Sequence, residues 1–152
     1  MSTCADQPSL RLPAVMDSLE PLRLFALEGA IEAGLGPDAP PRLELALEEA
    51  LVNVISYAYP KNAPGGPGDV ELHRRVDPDA FTLVLLDWGP AFDPLSEEEN
   101  EPALEANRMA DLDSREPGGL GLFLIRTMSL ASYRRNGEAN ELTLRFELPV
   151  ST

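Results

Sequence analysis

Phe81-Thr82-Leu83-Val84-Leu85-Leu86-Asp87-Trp88-Gly89-Pro90-Ala91-Phe92-Asp93-Pro94 is the stretch on which the fold turns. Alternation places Phe81, Leu83, Leu85 and Asp87 on one side of an extended chain, and Thr82, Val84 and Leu86 on the other. A strand therefore runs from Phe81 to Asp87 and ends in a carboxylate on its apolar side. A buried carboxylate needs a partner, and the exocyclic amine of a planar base such as adenine would serve. Gly89, just beyond, would let a flat ring approach the backbone. An aspartate that merely opens a turn at a strand end is the ordinary alternative, and these residues alone leave both readings open.

Upstream, Val70, Leu72 and Val76 alternate with Glu71, His73 and Arg75, and Asp77-Pro78-Asp79 makes a turn into the Phe81 strand, so the two form a hairpin. Leu10-Arg11-Leu12 has the makings of a short strand ended by Pro13. From Asp17 to about Gly34 the spacing of Leu19, Leu22, Phe25, Ala26, Ala30 and Ala33 predicts a helix, with Asp17 or Ser18 as cap and Gly34-Leu35-Gly36-Pro37 as stop. A second helix follows Asp38 and two prolines. Its Leu43, Ala46, Leu47, Ala50, Leu51 and Val54 keep the i, i+3, i+4, i+7 rule, and Pro60 ends it.

Downstream, residues 89–118 are acidic with little periodicity, a length of irregular chain that is usually functional. Leu120 to Ala131 reads as an apolar helix. Ser132–Arg135 and Glu141–Leu148 read as two strands, the last with Leu142, Leu144, Phe146 and Leu148 on one side. The expectation is an α+β fold, helices layered on one face of a mixed, mostly antiparallel sheet. Residues 1–8 read as a frayed, flexible N-terminus and 9–150 as one domain.

Bulk properties exclude several classes of function. The 152 residues suit one core, and 43% of them are hydrophobic, an ordinary share. No stretch approaches the roughly 18–20 apolar residues of a membrane span. No secretory signal is visible at the N-terminus. Cys4 is the single cysteine, which excludes an internal disulfide and fits a reducing, cytoplasmic compartment. A net charge of −14 argues against non-specific nucleic-acid binding. It also disfavours any polyanionic ligand unless a cation and oriented backbone N–H groups offset the repulsion locally. A basic partner would be steered well.

Two further clusters carry chemistry. Glu49 and Asn53 lie four apart and project from one helical face, away from the Leu43/Leu47/Ala50/Val54 stripe. An Asn oxygen is a neutral hard ligand for Mg²⁺, which keeps several waters and takes other ligands from phosphates. A carboxylate one turn earlier can hold an attacking water or hydroxyl. Glu48 competes for that role but points about 100° away from its neighbour. A solvated helix face is the plain alternative. Gly118-Gly119-Leu120-Gly121 before a helix exposes N–H groups at a positive helix end and favours phosphate, although a glycine-rich linker would look the same. The run lacks the Gly-Lys-Ser/Thr ending of a P-loop. Arg115 could reach phosphate or could be a surface arginine. His73, the sole histidine, reads as solvated between Glu71 and Arg75.

Together the clusters resemble the GHKL (histidine kinase-like) ATPase superfamily and, within it, the anti-sigma-factor serine/threonine-protein kinases of bacterial partner-switching systems. Glu49-x-x-x-Asn53 looks like the family's N box. Asp87-x-Gly89-x-x-Phe92-Asp93-Pro94 looks like its G1 box, and Gly119-Leu120-Gly121-Leu122-Phe123-Leu124-Ile125 like its G2 box. The resemblance covers roughly residues 10–149. It implies a two-layer α/β sandwich of the Bergerat type, with Asn53 on Mg²⁺, Glu49 as general base and Asp87 on adenine. Gly89, Phe92, Arg115, Gly119, Leu120, Gly121 and Leu122 would also meet ATP, and residues 95–117 would form a lid.

The implied partners are a small STAS-type anti-sigma-factor antagonist, phosphorylated on serine or threonine, and a sigma factor; a homodimer is left open. Members often carry His four residues after the metal-binding Asn, where this chain has Tyr57, and the lid is acidic, with only Arg108 and Arg115 to meet phosphates. These departures bear on catalysis more than on nucleotide binding. A non-catalytic, nucleotide-gated module that sequesters partners is the alternative. A complete sensor histidine kinase is excluded by the lack of a second domain and of a phosphoacceptor histidine helix.

Overall fold

The computed structural model describes residues 8–35, 39–60, 66–93, 95 and 129–148. The element order is β1 (Ser9–Pro13), α1 (Leu19–Ala33), α2 (Ala39–Asn53), β2 (Asp69–Asp77), β3 (Ala80–Asp87), β4 (Leu130–Asn136) and β5 (Ala139–Glu147). A 3₁₀ turn, Met16–Ser18, leads into α1, and a π-helical turn, Val54–Ala58, continues α2.

The strands form one sheet in the order β1-β2-β3-β5-β4. Every pairing among the described residues is antiparallel, so the mixed sheet of the expectation is realised in its antiparallel part. The helix expected over 120–131 falls outside the described residues up to 128, and Leu130 and Ala131 belong to β4.

Burial follows the alternation of the sequence. Val70 and Leu72, Phe81, Leu83 and Leu85, and Leu142, Leu144 and Phe146 form the covered face of the sheet, packed against Leu22, Ala26 and Ala30 of α1 and Leu43, Leu47 and Leu51 of α2. Fully burying side chains of this size stabilises by about 1.5–3 kcal/mol each, so this layer fixes the position of both helices. Arg74 shares the covered side at the rim. It stacks on the Phe25 ring at 4.4 Å and donates to the Phe25 carbonyl at 2.6 Å.

The ends of α1 differ from the expectation at one side only. No side-chain hydrogen bond caps its start; the 3₁₀ turn enters the helix directly, with Ser18 N–H bonded to the Val15 carbonyl. Gly34 ends it in the left-handed conformation (φ 83°), its N–H returned to the last turn. At the N-terminal side, the Pro8 carbonyl already accepts the Arg74 N–H, so contact with the sheet begins before β1. Thr82, expected on the open face, is 1% exposed, in register between Arg75 and Arg145, whose stems are long enough to cover it.

Candidate nucleotide site

Asp87 is buried, as its place in the alternation requires, and 8% exposed. Its partners come from the protein. Gly89 N–H donates to Oδ1 at 3.0 Å, and Asn140 Nδ2 donates to the same oxygen at 2.9 Å. Asn140 lies directly opposite Asp87 in the β3–β5 register. Its amide N also donates to the Pro90 carbonyl at 3.0 Å, while its oxygen accepts Phe92 N–H at 3.2 Å and the Tyr133 hydroxyl. The amide nitrogen faces only acceptors and the oxygen only donors, so one orientation of the amide satisfies the network. Every hydrogen bond of Asp87 to a described residue uses Oδ1. Oδ2 accepts no hydrogen bond from a described residue.

The turn after Asp87 is held on several sides. Arg135 donates to the Gly89 carbonyl at 2.9 Å. A Cβ on Gly89 would collide with the Ala58 carbonyl oxygen, so a side chain is excluded by backbone. The glycine expected to admit a flat ring thus also admits the end of the π-helical turn that continues α2. Asp93 Oδ1 accepts Leu95 N–H at 2.8 Å, and Phe92 remains exposed at 38%.

The helix-borne residues sit in a more open setting. Glu49 and Asn53 are half-buried on α2, while Glu48 is exposed, consistent with the side chains of 48 and 49 facing differently. No side-chain hydrogen bond ties Glu49 or Asn53 to another described residue. Burial raises the Glu49 pKa from its ordinary value, and the charge of Glu48 adds to the effect. Among the described residues no group of three or more His, Cys, Asp or Glu side chains could hold a metal on its own. Asn53 offers one neutral hard oxygen, and a cation held there would take its other ligands from phosphates and water, as Mg²⁺ does.

The structure therefore brings Asp87, Gly89 and Phe92 together through Asn140, and joins that turn to the end of the Glu49/Asn53 helix through Ala58. Arg115, Gly119, Leu120, Gly121 and Leu122, and residues 96–117 of the expected lid, lie outside the described residues. His73 is half-buried and paired with Glu71 rather than simply solvated. Asn140, Tyr133 and Arg135 were not singled out from the sequence. For Asn140 a signal existed: the inward series Leu148, Phe146, Leu144, Leu142 extends to position 140, where a polar residue falls on the apolar side, as at Asp87.

The chain matches the family model of the histidine kinase-like ATPase domain over residues 12–146. It is 37% identical over 103 residues to the serine/threonine-protein kinase BtrW of Bordetella bronchiseptica, covering 67% of this chain and 66%, just under two thirds, of that relative. It is 31% identical over 128 residues to the serine-protein kinase RsbW of Listeria innocua, covering 84% of this chain and 78% of the relative. The fold is similar to a crystal structure of the RsbU and RsbW domains of a Mycobacterium tuberculosis protein, with a TM-score of 0.60 and 14% identity over 93% of this chain and 32% of that one. By these matches the chain belongs to the histidine kinase-like ATPase superfamily and, within it, to the anti-sigma-factor serine/threonine-protein kinase family.

Proposed function

We propose that the chain binds ATP with Mg²⁺ between α2 and the Asp87 turn and transfers the γ-phosphate to a serine or threonine of a small anti-sigma-factor antagonist of STAS type, and that it also sequesters a sigma factor. The observation that carries this reading is the one-sided bonding of Asp87. A carboxylate fixed through Oδ1 by Asn140 and Gly89, with Oδ2 bonded to no described residue, is a pre-set acceptor for the adenine amine. RsbW and BtrW relatives, which carry the name of serine or serine/threonine kinases, support the reaction class.

Each residue has a separate task. Asp87 selects the base. Asn53 offers its oxygen to Mg²⁺, which when bound neutralises phosphate charge and orients the chain of phosphates. Glu49 sits one turn earlier on the same face, where it can accept the proton of the antagonist's hydroxyl as the oxygen–phosphorus bond forms and the bond to the ADP leaving group breaks. Its raised pKa makes it a stronger base than a solvated carboxylate. The glycines 119 and 121, with Leu120, Leu122 and Arg115, would meet phosphates and Gly89 and Phe92 the base side, with 95–117 closing as a lid. No helix among the described residues is long and apolar enough to cross a membrane, and a protein acting on sigma factors works in the bacterial cytoplasm.

The decisive experiment is phosphate transfer from labelled ATP to an antagonist encoded beside this gene, with Mg²⁺ and with chelator. Transfer to serine or threonine in magnesium alone is the expected result. ATP binding without transfer to any cognate antagonist would favour a nucleotide-gated module that holds partners without modifying them.

A further inference from the structure

Tyr59 stands between the two halves of the site and belongs to neither by motif. It follows the π-helical turn in extended conformation (φ −123°, ψ 145°). Its hydroxyl donates to the Asp69 carbonyl at 2.6 Å and accepts the Trp88 N–H at 2.8 Å. Val70 pairs with Asp87, so Asp69 and Trp88 occupy the next rung of the β2–β3 ladder. The hydroxyl is inserted in that rung: the donor of one strand and the acceptor of the other meet through it. The sheet is thereby released immediately after Asp87, and the chain is free to turn at Gly89.

The ring is seated as firmly as its hydroxyl. A Cβ on Gly68 would collide with Tyr59 Cε1, so the aromatic face occupies the space that a side chain would need. Burial also raises the phenol pKa, which keeps the hydroxyl protonated and able to donate. One residue earlier, the Ala58 carbonyl packs on Gly89. The segment that leaves Asn53 therefore touches the Asp87 turn twice, by backbone packing at Gly89 and by hydrogen bond at Trp88.

We infer that Tyr59 is a positioning residue for base recognition, its inserted hydroxyl setting where β3 stops pairing and hence where the Asp87 carboxylate points. The inference rests on the reading of Asp87 as the adenine contact. Without the hydroxyl, Trp88 N–H can pair directly with the Asp69 carbonyl, the ladder closes by one rung, and Asp87 and its turn shift towards β2. Glu49 and Asn53 belong to α2 rather than to the ladder, so the phosphate and metal side is expected to change little.

The test is Tyr59→Phe in the full chain, which keeps the ring on Gly68. Affinity is measured for ATP and for purine riboside triphosphate, which has the same phosphates but no 6-amino group. The expected result is an approximately three- to tenfold weaker binding of ATP with little change for the purine analogue, so that the preference between them falls. In an Asp87→Asn background the same substitution should add nothing further. Equal loss for both nucleotides, or full additivity with Asp87→Asn, would show a general structural role and overturn the inference. Unchanged binding of both would overturn it as well. If Asp87→Asn alone leaves ATP affinity at wild type, the base-site reading falls, and the inference with it.

Discussion

The two halves of the site are built to different degrees of completion. The half proposed for the base, on β3 and β5, is built around the buried Asp87 and Asn140, and these two, Tyr133, Arg135 and four backbone groups of the turn hold one another. The half proposed for the metal, on α2, presents Glu49 and Asn53 half-buried, with no side-chain bond to another described residue. A group that must recognise one fixed shape gains from being held before the ligand arrives, because ordering it on binding would cost affinity. A group that must take a hydrated cation and then accept a proton from a protein partner needs open coordination and a carboxylate that can change charge.

The contrast can be broken first at Glu49. If its work is done in the transition state, Glu49→Gln lowers phosphate transfer by about 10²–10⁴-fold while ATP affinity stays near wild type. Glu48→Gln, facing elsewhere, should transfer normally. A Glu49→Gln protein that phosphorylates the antagonist at the wild-type rate would remove Glu49 from the base role. The next largest effect is expected at Asp87. Asp87→Asn turns an acceptor-only group into one that is half donor, and should weaken ATP binding about ten- to a hundredfold through the loss of a buried bond to a charged group. Calorimetry in magnesium measures it, and unchanged affinity would reduce Asp87 to a strand-end turn former.

A third pair of variants compares the halves directly. Asn140→Ala strips a buried network and should lower folding stability by about 1–3 kcal/mol. Asn53→Ala removes no bond to a described residue and should stay within about 0.5 kcal/mol of wild type, yet should lose the magnesium-dependent part of ATP affinity while binding normally in chelator. Denaturant unfolding of both variants decides the point. Equal destabilisation would mean that the metal half is as integral to the fold as the base half.

The smallest effect concerns pH. Burial, helped by Glu48, raises the Glu49 pKa in the folded chain. Between the ordinary carboxyl pKa and the raised one, the folded state holds a proton that the unfolded chain has released, so stability falls as pH rises through that window. Glu49→Gln should therefore be slightly more stable than wild type at neutral pH, by about a few tenths of a kcal/mol for a half-buried group partly screened by solvent. The difference should close at pH 4. A variant less stable than wild type at pH 7.5 would contradict the sign.

The sequence made the layers readable because the sheet is half covered: one apolar side per strand and one apolar stripe per helix give clean periods of two and 3.6. Asp87 was legible for the same reason, as a charge where the period demanded an apolar residue. Glu49 and Asn53 were legible only through spacing and family resemblance, since nothing about a half-exposed helix face distinguishes a ligand from a solvated side chain. The π-helical turn was not legible. Val54 and Ala58 satisfy an α-helical reading equally well, and the five-residue hydrogen bond is chosen by what the turn packs against, including Gly89. Tyr59 escaped for a related reason: its partners are backbone groups of residues ten and twenty-nine positions away, which carry no side-chain signature.

The placement of β5 between β3 and β4 has a consequence for the order in which the protein becomes competent. Asp87 and its partner Asn140 are 53 residues apart in the chain, and translation at about 5–20 residues per second separates their emergence by roughly 3–10 s. During that interval both helices and the first three strands can form, while the edge of β3 that pairs with β5 is open and the Asp87 carboxylate lacks Asn140. On the proposed roles, the nascent chain holds Glu49 and Asn53 well before Asn140 arrives to fix Asp87, so base selectivity would mature after the residues of the metal side.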